Sequence, residues 1–235
     1  MRTFHLWSPP LTGLQEGESI TLSPEEHHHF HRVLRGKVDQ ETVLMDGLGY
    51  TAIARCRLCH KQESSFFLLE APKLHPKGPG VKIFGPIPKG KRFPYLLEKL
   101  QEIGVHSFSP LQTDHSVRED WSSESKKRMG DRLIEACKQS RCPHLMQLGD
   151  PRSLEDWANK TPPIVLDIDA PALIKAKVSE PIELLFGPEA GWSKEERAFF
   201  CDQAWPRASL NRQHLRMETA AILGAGTLSQ MLEIV

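Results

Sequence analysis

The chain has 235 residues, enough for one large domain or two ordinary domains with cores of their own. Its 30 Lys and Arg residues balance 30 Asp and Glu residues, so the overall charge does not indicate a nucleic-acid partner. No apolar run approaches the roughly 20 residues that a membrane-spanning helix requires, and the opening stretch MRTFHLWSPP lacks a signal-peptide core, which favours a cytoplasmic protein.

A small β-barrel is predicted for the first 72 residues. Short segments with the character of strands are divided by turn residues such as Asp46 and Gly47, and one helical segment spans residues 24–34. The change in character near residue 72 marks the expected boundary between a first domain, 1–72, and a second, 73–235. The Pro-, Gly- and Lys-rich stretch 71–80 is the expected linker.

The helical segment carries four histidines between residues 27 and 31. His27 and His31 would share one helical face, so a metal site is conceivable. No carboxylate lies nearby at a ligand spacing, which favours a polar helix face or an RNA-contacting surface. Arg32 and Arg35 continue the helix, and their charge makes an RNA surface the better functional interpretation.

Cys56 and Cys59 precede His60 in the spacing that attaches c-type haem. The surrounding residues alternate as in a strand and no export signal is present, so two strand cysteines are the preferred interpretation. A zinc site is not expected either, because the sequence has no second C-x-x-C motif to supply the other ligands. Five cysteines without a secretory signal indicate reduced thiols.

Beyond Pro79, short apolar runs such as VKIFG alternate with helical patterns up to METAAILGAGTLSQML. This alternation predicts β-α units and a mainly parallel sheet. Seven basic residues against a single acid, Glu98, lie between Lys73 and Lys99. A solvated surface with a connector and a contact with RNA or phosphate are both compatible with that local charge.

In the stretch LLFGPEAGWSKEE, residues 184–196, a predicted strand is followed by a turn and then by the start of a helix. Ser193 and Glu196 form a capping-box pattern, which predicts a helix from Lys194. Gly187 and Gly191 would let a ligand approach the main chain at the carboxyl end of a strand, although a tight connection explains them equally well. The sequence contains no dinucleotide-binding fingerprint, Walker A loop or Gly-x-Ser-x-Gly elbow. The nearest approach to the fingerprint, Gly224-Ala225-Gly226, lies in a helical pattern rather than after a strand.

GPEAGWSKEE followed by SLNRQHLRMETAAIL resembles the RsmE family, the SPOUT-class methyltransferases that modify N3 of a uridine in 16S ribosomal RNA. Further matches along nearly the whole chain are HFHRVLR, KLQEIGV, DHSV and EACKQSR. The chain departs from the usual family pattern at Ala190, Asn211 and His214, and Asp114-His115 stands where Glu-Arg is common.

The resemblance implies an α/β protein with an RNA-binding, PUA-like β-barrel at 1–72 and a SPOUT domain with a deep trefoil knot at 73–235. It also implies a homodimer joined through the last helix, and S-adenosylmethionine as methyl donor, with no metal. The residues it implies for donor binding are Leu166, Ile168, Phe186, Gly187, Pro188, Glu189, Gly191, Leu210, Asn211, Leu215, Arg216, Glu218 and Thr219.

For catalysis, a positive group near the uracil oxygens would stabilise the anion that forms when N3 loses its proton, and Arg216 is the first candidate. Glu189 or Glu218 could accept that proton, although backbone amides could equally hold Glu218. The expected contacts with the substrate RNA are Arg32, Arg35, Lys89, Lys91, Arg92 and Arg141. Two alternatives stay open: a noncatalytic RNA-binding module, and a SPOUT enzyme that methylates a ribose hydroxyl of transfer RNA.

Overall fold

The computed structural model describes residues 3–78, 80–116, 120–157, 160–173 and 182–233. The chain divides into two compact units. The first ends at Gly78 and also contains Ile134–Leu145, and the second contains the described residues of 79–133 and 146–235. The 12-residue piece from the middle of the chain therefore joins a unit that sequence periodicity had limited to the amino-terminal residues.

The first unit is a mixed sheet with one short helix. Its elements are β1 (Phe4–Trp7), β2 (Ser19–Thr21), α1 (Pro24–His28), a π-helical turn (His29–Val33), β3 (Glu41–Met45), β4 (Tyr50–Cys59), β5 (Ser64–Leu68) and β6 (Lys73–Leu74). The strand order is β1-β3-β4-β5-β2, with β6 paired to β4. Only the β1–β3 pair is parallel, and the described strands β1 and β2 do not pair to close the sheet into a barrel.

Four predicted strands and the helical segment are confirmed in this unit, and β1 and β6 were missed. Asp46 forms the predicted turn between β3 and β4, because its Oδ1 accepts hydrogen bonds from the backbone N–H groups of Leu48 at 2.8 Å and Tyr50 at 3.2 Å. Alternating residues of β4, including Cys56, point into a core that contains Phe30 and Phe66. Part of the predicted linker is strand β6, and Pro79 lies outside the described residues.

The second unit is a six-stranded parallel sheet with helices. Its elements are β7 (Val81–Gly85), α2 (Arg92–Ile103), β8 (Ser107–Pro110), α3 (Ser123–Ser140), β9 (Gln147–Leu148), a 3-10 helix (Leu154–Trp157), β10 (Ile164–Leu166), β11 (Ile182–Leu185), α4 (Lys194–Asp202), β12 (Arg207–Ala208) and α5 (Met217–Glu233). From Ile134 onward, α3 belongs to the first unit. The order is β12-β10-β11-β7-β8-β9, and every recorded pair is parallel, as predicted.

Close packing of α5 on this sheet explains the glycine that sequence analysis placed in a helix. A Cβ at Gly224 would lie 2.8 Å from Cδ2 of Leu184 on β11 and 3.1 Å from Cδ1 of Leu166 on β10. The stretch LEDWANK, residues 154–160, also has a helical pattern in the sequence. The structure describes a single 3-10 turn there, Leu154–Trp157, and Ala158 and Asn159 lie outside the described residues. No described helix is long and apolar enough to span a membrane.

A buried ion pair lies within the first unit, between Glu26 of α1 and Lys138 in the part of α3 that belongs to this unit. Nζ of Lys138 donates to Oε1 and Oε2 of Glu26 at 3.1 and 2.8 Å, and the Glu26 carboxylate also accepts from the backbone N–H of Trp7 at 3.1 Å. The side chains of Lys138 and Glu26 are only 3% and 8% exposed. Removal of one partner would leave a buried charge without its counter-ion, which costs more free energy than the pair itself contributes.

We expect Lys138→Met to lower the free energy of unfolding by about 3 kcal/mol, because methionine replaces most of the apolar stem of lysine but leaves Glu26 without its positive partner. The matched control is Arg55→Met, which breaks the exposed Arg55–Glu41 pair and should cost less than about 1 kcal/mol. Urea unfolding curves of both variants measure the difference. Equal losses would contradict the prediction, whereas partial recovery in Lys138→Met with Glu26→Leu would support it.

Candidate functional site

The carboxyl ends of three neighbouring strands, β12, β10 and β11, enclose a cavity of about 790 Å³. Its walls are the segments 166–169, 186–192 and 208–215 that follow those strands, together with Arg197, Met217 and Ala220. The predicted donor-binding residues in these walls are Leu166, Ile168, Phe186, Gly187, Pro188, Glu189, Gly191, Leu210, Asn211 and Leu215. The structure thus brings two distant sequence motifs, and the end of β10, to one cavity.

Three predicted donor-binding residues do not line this cavity: Arg216, Glu218 and Thr219. They lie at the start of α5, whose first turn is closed by a hydrogen bond from the backbone N–H of Ala220 to the carbonyl oxygen of Arg216 at 2.9 Å. Arg216 and Thr219 are exposed, whereas Glu218 is 6% exposed. No described carboxylate forms an ion pair with Arg216, so its guanidinium is available to a substrate.

The two glycines of the first motif have different physical roles. The backbone N–H of Gly191 donates to the carbonyl oxygen of Pro188 at 2.9 Å, and Gly191 has φ +76°, a conformation that favours glycine. A Cβ at Gly191 would meet nothing within 4 Å, whereas one at Gly187 would lie 2.9 Å from Cε2 of Trp192. Contact with a tryptophan ring is therefore one physical reason for glycine at position 187, which also lines the cavity.

Trp192 attaches this turn to the sheet, a role that sequence analysis did not predict. Its Nε1–H donates to the carbonyl oxygen of Leu166 at 2.9 Å, and its ring packs edge-on against Phe200 with centroids 5.0 Å apart. Ser193 and Glu196 form the predicted capping box, and α4 begins at Lys194 as expected. The cavity wall 186–192 is consequently held between the end of β10 and the start of α4.

A second set of residues missed by sequence analysis fixes the segment after β10. Nη1 of Arg197, from α4, donates to Oδ1 and Oδ2 of Asp167 at 2.9 and 2.6 Å, and Nη1 of Arg207 lies 3.4 Å from Oδ2. The Asp167 side chain is fully buried, so the arginines compensate a charge that water cannot reach. An aspartate directly after an apolar strand was the available sequence signal.

Two residues with different predicted roles are paired with each other. Arg92, predicted to contact RNA, donates from Nη1 to Oε1 of Glu189, the predicted proton acceptor. That hydrogen bond raises the pKa of Arg92. The same Nη1 lies 3.8 Å from Oε2 of Glu218, and this buried oxygen has no hydrogen-bond partner among the described residues. One guanidinium therefore faces two carboxylates.

The other predicted RNA contacts are exposed and belong to both units. Lys89 and Lys91 precede α2 in the second unit, and Arg32, Arg35 and Arg141 belong to the first. In the first unit, the rings of His27 and His31 are stacked with centroids 5.5 Å apart, as their predicted common helical face requires. Within the described part of the chain, no group of three or more His, Cys, Asp or Glu residues is placed to hold a metal ion.

One departure from the family pattern, Asn211, has a local explanation. Oδ1 of Asn211 accepts from the backbone N–H of Gln213 at 2.9 Å, so asparagine stabilises the turn where glycine is usual. His214 lines the cavity and Ala190 is exposed in the turn. Of the DHSV match, Val117 lies outside the described residues.

Comparisons with known proteins agree with this arrangement. The family described as RNA methyltransferase domain matches residues 76–229. Ribosomal RNA small subunit methyltransferase E of Bacillus subtilis is 24% identical, with 94% of this chain and 93% of that protein covered. The protein of the same name from Aquifex aeolicus is 28% identical, over 88% of this chain and 93% of its own.

Solved structures show the same fold over the whole chain. Ribosomal RNA small subunit methyltransferase E from Neisseria gonorrhoeae, bound to S-adenosyl methionine, has a TM-score of 0.86 at 20% identity and covers 98% of both chains. A methyltransferase structure from Legionella pneumophila, with the bound cofactor SAM, has a TM-score of 0.83 at 25% identity, over 100% of this chain and 98% of that one. From the domain match and these relatives, the chain belongs to the RsmE family of RNA methyltransferases.

Proposed function

We propose that the protein transfers a methyl group from S-adenosylmethionine to N3 of a uridine in the 16S RNA of the small ribosomal subunit. The observation that carries the proposal is the cavity formed by both family motifs at the carboxyl ends of β12, β10 and β11. Open parallel sheets bind ligands at this edge. The names of the relatives and the donor in two solved neighbours support the same activity.

The cavity fits the chemistry of the donor. Its volume of about 790 Å³ is in the range of small-molecule sites, and its lining combines apolar side chains with main-chain groups of a turn. Leu166, Phe186 and Leu210 offer apolar surface to an adenine ring, and the backbone groups of the turn 188–191 that are not used in the Gly191–Pro188 and His115–Gly191 hydrogen bonds would bond to its edge. When bound, the donor supplies a methyl group already activated as a sulfonium.

In this proposal, the protein aligns the base with the donor and assists the removal of the proton from uridine N3. Uridine N3 becomes a nucleophile when its proton leaves. The exposed guanidinium of Arg216, which pairs with no carboxylate in the described part of the chain, would stabilise the resulting negative charge on the uracil oxygens. Glu189 is the first candidate to accept the proton, and its Oε1 would have to give up the hydrogen bond that it accepts from Arg92 before it could do so. Glu218 is the second candidate, because its Oε2 accepts no hydrogen bond from any residue that the structure describes.

The finer features of the architecture are part of the proposal. We assign a PUA-like, RNA-binding domain to residues 1–72 and a SPOUT domain with a deep trefoil knot to residues 73–235, on the strength of the RsmE resemblance. We also propose a homodimer and a cytoplasmic location. Support for the dimer comes from α2 and α5, which contact each other and expose Tyr95 and Leu223 by 50% and 43%.

The test has two measurements on the full chain. Titration calorimetry should detect S-adenosylmethionine binding, and labelled methyl from the donor should enter unmodified small-subunit particles but not fully modified ones. An absence of donor binding would favour the noncatalytic RNA-binding module. Label in transfer RNA, with none in ribosomal particles, would instead favour the ribose-methylating alternative.

A further inference from the structure

The loop after β8 contacts the cavity wall through a histidine. Nδ1 of His115 lies 3.0 Å from the carbonyl oxygen of Gly191. Because a carbonyl oxygen can only accept a hydrogen bond, this contact requires the proton on Nδ1. His115 therefore acts as a donor to the residue with φ +76°, on which the turn 188–191 depends.

The neighbouring residue anchors that loop to the start of α4. Oδ2 of Asp114 accepts from Oγ of Ser193 at 2.5 Å, and the backbone N–H of Asp114 donates to Oε1 of Glu196 at 3.1 Å. Ser193 and Glu196 are 7% and 5% exposed, and they also bond each other in the capping box. These hydrogen bonds, which connect the exposed Asp114 to the buried Ser193 and Glu196, fix the base of the exposed His115 side chain.

The turn 188–191 is thus held by a hydrogen bond on each side. Trp192 donates to the carbonyl oxygen of Leu166 on one side, and His115 donates to the carbonyl oxygen of Gly191 on the other. Rotation of the Gly191 peptide would break the second contact and change which backbone groups line the cavity. A hydrogen bond that fixes this peptide reduces the conformational freedom that a ligand would otherwise have to remove on binding.

We propose that His115, held by Asp114, is a positioning residue that keeps the turn 188–191 in the form that binds the methyl donor. This inference rests on the proposed function, since it assigns the donor to the same cavity. It also explains the Asp-His pair that departs from the usual Glu-Arg: the carboxylate bonds the helix cap, and the adjacent side chain supplies an N–H to the turn.

The key variants are His115→Ala and His115→Asn. Alanine removes the donor, and we expect the Kd for S-adenosylmethionine to rise about fivefold, the effect of one ordinary hydrogen bond. Asparagine places an amide N–H near the position of Nδ1 and should restore affinity to within about twofold of wild type. At saturating donor and RNA, kcat of His115→Ala should change by less than about twofold, because His115 is assigned to binding rather than to the reacting atoms.

The control is His60→Ala, which removes an exposed histidine from the first unit and should leave donor affinity unchanged. Calorimetry gives each Kd, and thermal melting without donor shows how much folding stability each variant loses. Wild-type affinity in His115→Ala, or no recovery in His115→Asn, overturns the positioning role. A wild-type protein that does not bind S-adenosylmethionine overturns the proposed function instead, so the two failures are distinguishable.

Discussion

Replacement of Gly191 with valine should abolish measurable S-adenosylmethionine binding while the protein stays folded. Gly191 has φ +76°, which a β-branched residue adopts only at considerable cost. The turn would have to rearrange, with loss of the hydrogen bonds from Gly191 N–H to Pro188 and from His115 to the Gly191 carbonyl oxygen. Since a Cβ here meets nothing within 4 Å, the added side chain does not disrupt the core.

Gly13→Val is the matched control for this prediction. Gly13 has φ +82° and equally open surroundings, but it belongs to the first unit. Valine there imposes similar backbone strain without altering a residue that lines the cavity, so donor binding should persist. Calorimetry compares the two variants, and circular dichroism verifies that both are folded. Near wild-type affinity in Gly191→Val would show that the donor binds elsewhere, whereas loss of binding in both variants would indicate a general effect of strain.

Local patterns in the sequence predicted the local structure of the cavity wall. An apolar run ending at Phe186 predicted β11, and the spacing of Ser193 and Glu196 predicted where α4 begins, because strand burial and helix capping depend on nearby residues. The alternation of strands and helices likewise predicted a parallel sheet. It could not give the strand order β12-β10-β11-β7-β8-β9, which depends on how distant segments pack.

The missed contacts join residues far apart in the chain. Arg92 and Glu189 are 97 positions apart, and Asp167 and Arg197 are 30 apart, so no local periodicity relates them. Arg92 was predicted to contact RNA because it lies in a basic stretch, yet its nearest charged partner is in the cavity wall. Short elements were missed for a different reason: β6 has two residues, and its Pro- and Lys-rich surroundings are typical of linkers.

Gly187 shows how one motif can have two physical explanations. Sequence analysis explained its missing side chain equally by the approach of a ligand and by a tight connection, and the contact that a Cβ would make with the Trp192 ring supports the tight connection. That ring in turn holds the turn against Leu166. The glycine therefore permits the packing that shapes this part of the cavity wall. Tight packing between neighbours in a motif cannot be distinguished from ligand contact without the side-chain positions.

Methylation at N3 should stop reverse transcriptase one nucleotide before a single uridine in treated 16S RNA, and only when active protein and S-adenosylmethionine are both present. N3 lies on the Watson–Crick edge, so a methyl group there prevents pairing with the incoming nucleotide. For the same reason, the protein can reach N3 only when the uridine is unpaired, or after it is drawn out of its stack at a cost of a few kcal/mol. Readthrough of a methylated product would place the methyl group on C5 or the ribose.

The Arg216→Ala variant tests how the protein promotes this reaction. If the exposed guanidinium stabilises negative charge on the uracil oxygens, its removal should slow single-turnover methylation about 100-fold and weaken RNA binding far less. Arg128→Ala removes an exposed arginine from α3 and should leave the rate unchanged. Because the reacting base has lost its N3 proton, the wild-type chemical step should also quicken from about pH 7 to about pH 9. Equal losses of rate and RNA affinity in Arg216→Ala would make Arg216 an RNA contact, since a group that acts only in the transition state leaves substrate binding intact.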